Sequence, residues 1–225
     1  GVGFRLGFVV IQTAGDISNF FSNIWPISFF SFEDLRLFFS LVLIAISCII
    51  MGAGIPTTAT YIILVAVAAP ALAQLGIEPL VAHFFVFYYG VLADITPPVA
   101  LAAYAASGIA KSNPFKTGNT AFRLGIAKAL VPFVFVYSPS LLLITGEFQT
   151  NELILTLTGT LIGIALIGIA FSGYWFRPLK KYEQFVIGSG SLFFVAPGTG
   201  SMIIGLLIIL PMFFLQFYKR LTPRP

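Results

Sequence analysis

From Leu37 to Ile77 the chain runs for 41 residues without a single charge. A second uncharged stretch separates Glu152 from Arg177, and a third separates Glu183 from Lys219. An ordinary soluble domain places a charged residue about every fourth position, whereas here charged residues make up 9% of the sequence and apolar ones 58%. About 20 consecutive apolar residues form a helix long enough to cross a bilayer, so each gap holds at least one span. Lipid offers backbone amides and carbonyls no partner, which leaves helices or a closed barrel as spanning structures. Segments this long and this continuously apolar predict an all-α polytopic membrane protein.

The few charges orient it. The net charge of +4 comes from three clusters: Lys111, Lys116, Arg123 and Lys128, then Arg177, Lys180 and Lys181, then Lys219, Arg220 and Arg224. Basic clusters beside apolar spans mark cytoplasmic loops. A nucleic-acid surface needs a basic face on a soluble fold with polar or aromatic interleaving, so no nucleic-acid partner is expected. The lone Cys48 excludes an intrachain disulfide and a multi-cysteine metal site. The sequence starts at Gly1 without a signal peptide, and it reads as the C-terminal portion of a longer membrane chain.

With the 111–128 loop in the cytoplasm, residues 129–146 run outward to a short acidic loop holding Glu147 and Glu152. Residues 153–176 return inward. The stretch 184–218 begins and ends beside cations and fits an out-and-back pair of short helices, although 184–197 is short enough to lie at the interface instead. In the other direction, 79–110 form one interrupted span with Glu78 outside, and residues 4–25 form a preceding span carrying Asp16. The uncharged stretch from Leu37 starts and finishes outside. It is either two full spans or a helical hairpin that turns within the membrane.

Two interruptions fall inside these apolar segments: Gly52-Ala-Gly-Ile-Pro-Thr-Thr-Ala59 and Ala93-Asp-Ile-Thr-Pro-Pro-Val99. Irregular backbone at membrane depth is tolerated only where protein buries it or it lines a cavity. Discontinuous helices are also where secondary transporters bind their substrates. Gly54 can end a helix in left-handed geometry, and Pro56 suits the first turn of the next, with Thr57 and Thr58 beside its free amides. Thr96 and Pro97 read as an N-cap and first-turn pair starting a helix near Pro98, after a helix that ends near Leu92. Carbonyls and threonine hydroxyls suit a desolvated cation. Free amides at helix N-termini favour a carboxylate. A cation-coupled organic-anion site is one reading of the pair; structural kinks, common in membrane helices, are the other.

At these residues the sequence resembles a known family. The run from MGAGIPTTATY through VLADITPPVALAAY to Tyr137 (51–137) is similar to the large membrane subunit of TRAP transporters, and more narrowly to the fused small-plus-large subunit of TAXI-type systems. The match covers over a third of the chain. It implies one half of an inverted-repeat, elevator-type fold of the ion-transporter superfamily, in the bacterial inner membrane. On that pattern residues 1–34 are a preceding helix and external loop. Residues 35–110 are a transport-domain repeat, with a re-entrant hairpin at 36–75 and a broken helix at 79–110. Residues 111–225 are a cytoplasmic amphipathic link followed by C-terminal transmembrane helices.

The resemblance implies no enzymatic activity and no cofactor, with Na⁺, or H⁺ in its place, as the coupling ion. Its implied partners are a periplasmic TAXI-type solute-binding protein, a small membrane subunit fused in the missing N-terminal part, and a small organic acid. Carried over by position, Gly52, Gly54, Thr57, Thr58, Asp94 and Thr96 are expected at the cation, and Pro56, Thr57, Thr58, Thr96, Pro97 and Pro98 at the substrate. Asp94 departs from the pattern, which places a small residue such as serine there. A carboxylate at this position strengthens cation binding, adds proton coupling, or merely faces the cytoplasmic side.

The remaining polar residues carry blander readings. His83, the sole histidine, is expected as a satisfied interfacial side chain. Arg123 and Lys128 have the spacing of an amphipathic helix at the cytoplasmic interface. Trp25, Trp175 and the 25 phenylalanines suit lipid-facing belts. Asp16 and Asp94 as an intramembrane aspartyl protease would need carboxylates sharing a proton, but the Tyr-Asp and Gly-x-Gly-Asp contexts are missing. A passive scaffold or channel lacks rings of charge or a carbonyl-filter repeat.

Overall fold

The structure, a computed structural model, describes residues 2–24, 31–143, 149–196 and 198–221. Trp25, Glu147 and Arg224, and the side chains of Lys219 and Arg220, lie outside what is described. Among the described residues every regular element is a helix, apart from one isolated bridge between Tyr174 and Pro178. The chain divides into two compact units, Gly1–Ala121 and Phe122–Pro225. Among the described residues, five helical stretches are long and apolar enough to cross a bilayer: Phe32–Gly52, Thr57–Gln74, Pro114–Tyr137, Thr150–Ser172 and Thr199–Tyr218.

The first unit contains α1 (Val2–Ile24), α2 (Phe32–Gly52), α3 (Thr57–Gln74), α4 (Pro79–Ala93), α5 (Leu101–Ile109) and most of α6 (Pro114–Gly125). Ser31 starts α2 through a capping box. Its hydroxyl oxygen accepts the Asp34 amide at 3.1 Å, and the Asp34 carboxylate accepts the Ser31 amide at 3.1 Å. Leu41, Ile44, Cys48, Leu64, Leu72, Phe85 and Val86 fill the core between α2, α3 and α4. On the outer side of the bundle, α1 packs on α3 so closely that a Cβ on Gly7 would meet the Ala71 Cβ at 2.8 Å.

The expected span at 4–25 forms a helix, α1, but it is not among the five apolar enough to cross. Arg5, Gln12, Asp16, Asn19 and Asn23 dilute it. The span expected at 129–146 is also displaced. Helix begins at Pro114, because the Asn113 side chain accepts the Lys116 amide at 3.1 Å and proline suits a first helical position. It continues through a 3-10 segment, Ile126–Leu130, into α7 (Val131–Tyr137). It stops at Ser138, whose ψ of 73° reflects the exclusion of helical backbone ahead of Pro139.

The second unit is built on α8 (Thr150–Ser172), α9 (Lys181–Val195) and α10 (Thr199–Leu221). Glycines let the three approach closely, in the small-residue manner of membrane helix pairs. A Cβ on Gly163 would lie 2.6 Å from Val195 Cγ2. Gly190 faces Ile208 and Ile209 while Gly205 faces Phe194, so α9 and α10 run antiparallel. This is the out-and-back pair expected from 184–218. At 15 residues α9 is about 22 Å long, shorter than the roughly 30 Å of a hydrocarbon core.

Candidate functional site

Helices α2 and α3 form a hairpin. Glu33, Asp34, Arg36 and Leu37 at the start of α2 share a cavity with Gln74 and Leu75 at the end of α3, so the two free ends lie together. At 21 and 18 residues, the arms are about 31 and 27 Å long. Between them, residues 53–56 are non-helical. Gly54 turns the chain at φ +83°, where a residue with a Cβ is strained. Pro56 is the N-cap of α3 rather than a first-turn residue, and it supplies no side-chain cap. The amides of Thr57, Thr58 and Ala59 therefore begin α3 uncapped, and the two threonine side chains are exposed.

The second break extends from Asp94 to Ala100, longer than its sequence indicates. Helix α5 starts at Leu101, not near Pro98. Thr96 and Pro97 each precede a proline, which excludes them from helical backbone and delays the restart. Thr96 is consequently not an N-cap. Its hydroxyl donates back to the Leu92 carbonyl at 2.7 Å, closing the end of α4. The amides of Asp94, Ile95 and Thr96 also turn back, onto the carbonyls of Val91, Leu92 and Ala93. The Pro97–Pro98 peptide is cis, and Ala100 precedes α5 at φ 35°. Among the described residues, no hydrogen bond reaches the carbonyls of Ile95, Pro97 or Val99.

These two breaks meet. A Cβ on Gly52 would lie 2.9 Å from Thr60 Cγ2, 3.1 Å from the Ala93 Cβ and 3.6 Å from the Gly90 carbonyl oxygen. A Cβ on Gly54 would lie 3.6 Å from Val99 Cγ1. The hairpin tip thus seats against the end of α4 and the following gap, glycine to methyl at both Gly52 and Gly54. Asp94, Thr96 and Pro97 are half-buried beside it, and Pro98 is exposed. Among the described residues, no hydrogen bond joins Thr57 or Thr58 to Asp94 or Thr96.

Several residues of this assembly carry no sequence motif. Thr60 is buried, donates its hydroxyl to the Ile55 carbonyl at 3.0 Å, and presents its methyl to both Gly52 and Gly90. Tyr104 on α5 donates to the Pro98 carbonyl at 2.7 Å, and its ring covers Gly118 of α6, where a Cβ would lie 2.8 Å away. Tyr61 and His83 hydrogen-bond at 2.7 Å, tying α3 to α4. Tyr61 lies one position after Thr60 in a helix and carries the only signal available, a polar side chain in an apolar run. Asp16 is exposed on α1.

Chemically, this site offers unpaired carbonyls, exposed threonine hydroxyls and one carboxylate beside the uncapped start of a helix. Oxygen ligands of that kind suit a hard monovalent cation, and free helix amides suit a carboxylate. Among the described residues, no three histidine, cysteine, aspartate or glutamate side chains cluster as a metal site would require. The family described as "Tripartite ATP-independent periplasmic transporter, DctM component" matches residues 1–150. No curated protein and no solved structure matches the chain.

Proposed function

Because the chain belongs to the DctM-component family of tripartite ATP-independent periplasmic transporters, we propose that its two breaks form half of a cation-coupled site for a small organic acid. The protein is a multi-pass inner-membrane permease component of a transporter, not a member of an enzyme family. Members of that family work with a periplasmic binding protein and a small membrane subunit. The finer reading is that a TAXI-type binding protein delivers the acid, that the small subunit is fused to this one, and that Na⁺ drives uptake, with H⁺ as the alternative.

The observation that carries this reading is the seating of the first break on the second, Gly52 against Ala93 and Gly54 against Val99. In it, carbonyls of the 95–99 gap and the hydroxyls of Thr57 and Thr58 hold the cation. The amides that begin α3 take the substrate carboxylate, beside Pro56, Pro97 and Pro98. Thr96 acts through the Leu92 carbonyl it holds, and Asp94 adds charge next to the cation. The hairpin serves as a re-entrant element of a moving transport domain, and an inverted second copy of hairpin and broken helix completes the site.

Reconstituted full-length protein with its binding protein tests this. Thr57→Ala and Thr58→Ala should abolish Na⁺-driven uptake while membrane insertion stays normal. Wild-type Na⁺ dependence in both variants would sink the assignment. Asp94→Asn separates the coupling ions: a changed pH profile with unchanged Na⁺ dependence identifies protons.

A further inference from the structure

Helices α8 to α10 lie beyond residue 150, where the family match ends. One end of this three-helix unit gathers cations. Arg177, Lys180 and Lys181 occupy the turn from α8 into α9, and the sequence places Lys219 and Arg220 in the last turn of α10. Arg123 joins them, donating to the Phe171 carbonyl at the end of α8 at 2.6 Å. A single carboxylate answers these charges. Glu183, fully buried, accepts from the Arg177 guanidinium at 2.6 Å and from the Lys180 amide at 2.8 Å.

The same end holds polar groups with nothing to bind. Gln216 is fully buried, and among the described residues neither its amide nitrogen nor its oxygen has a partner. The antiparallel pairing of Gly190 with Ile209 and of Phe194 with Gly205, continued along both helices, sets Gln216 level with Glu183. Ile209, Met212 and Gln216 follow helical spacing; Ile209 belongs to the core with α8 and α9, and the partly buried Met212 packs against it. Arg177 Nε is likewise buried and unpaired, while the Arg177 side chain keeps 23% of its surface open. Beside Arg177, Trp175 and Phe176 stack on each other and meet Phe213 edge-on, and Phe176 also meets Phe217 edge-on. Aromatic rings of this kind sit at headgroup depth.

We infer that this end of the α8–α10 unit is a binding site for the phosphate headgroup of an anionic phospholipid. The exposed Lys180 and Lys181 supply the charge, and Arg177 Nε and the Gln216 amide supply the donors that leave buried groups unsatisfied without it. The aromatic rim holds the glycerol and upper acyl chain. Surplus cations at one membrane-facing end, unlike a neutral polar pocket, select an anionic lipid over a zwitterionic one.

Native mass spectrometry of the full-length protein in detergent, titrated with phosphatidylglycerol or phosphatidylcholine, reads the site directly. Phosphatidylglycerol should be retained in preference. Lys180→Gln with Lys181→Gln should weaken that retention by about thirtyfold, roughly fivefold for each charge lost. Arg177 is a poor probe because its loss strands Glu183, so Gln216→Leu serves as the second variant. It should lose retention while its lipid-free melting temperature holds or rises, since leucine relieves an unpaired buried amide. Equal retention of the two lipids, or wild-type retention by Gln216→Leu, overturns the inference. Displacement of phosphatidylglycerol by millimolar inorganic phosphate would reassign the site to a free anion and overturn it as well.

Discussion

Gly52 and Gly54 stand two residues apart and demand glycine for different reasons. At Gly54 there is room, with Val99 Cγ1 as the nearest atom at 3.6 Å, but φ is +83°. Gly54→Ala therefore incurs the left-handed penalty of about 1 kcal/mol, and thermal unfolding of the purified protein should show a modest loss of stability. At Gly52 the backbone is ordinary and the space is gone, with Thr60 and Ala93 at 2.9 and 3.1 Å. Gly52→Val should push the tip off α4 and reduce uptake at least about tenfold, the effect of roughly 1.4 kcal/mol in a transport barrier. Wild-type uptake would show that seating is irrelevant. Tyr104→Phe removes only the hydrogen bond to the Pro98 carbonyl. Under the cation-coupled reading proposed above, it should raise the coupling-cation concentration for half-maximal uptake while leaving expression and insertion unchanged.

At the scale of elements, the Ser31 capping box decides where α2 begins. Ser31→Ala should cost about 1 kcal/mol, visible as faster hydrogen exchange at the first turn of α2 and not at α3. The two breaks were legible because Gly, Pro and paired Thr cannot be mistaken inside an apolar run. Their lengths were not. Thr96 looks like an N-cap, but two following prolines remove the helix it would cap, and its hydroxyl turns to Leu92 instead. Asn113-Pro114 is an equally plain start signal, overshadowed by the basic residues that follow it. That the breaks touch depends on the rotational register of α2, α3 and α4, fixed by Leu41, Leu64 and Phe85 in the core, and no local motif encodes it.

Across the whole molecule, the families of charge settle what composition alone leaves open. The polytopic class follows from uncharged runs and the inner-membrane location from the family, whereas the Arg177–Glu183 pair reveals itself only in the geometry of the turn into α9. Removing one partner of a buried pair strands the other at about 3 kcal/mol or more. Arg177→Gln should thus lower the melting temperature sharply, and Arg177→Gln combined with Glu183→Gln should recover most of it. A double variant as unstable as the single one would mean that the pair holds more than its own charges.

The seam between hairpin and broken helix has a mechanical consequence. It brings Gly52, Gly54 and Gly90 against the methyls of Ala93, Thr60 and Val99. Small apolar surfaces like these contribute little to holding the joint shut, at about 25 cal/mol per Å² of area kept from water. The arms behind the tip bury larger side chains, Leu41, Leu64 and Phe85 among them. In the transport cycle proposed above, a joint of this make is where two breaks can part with the least loss of contact.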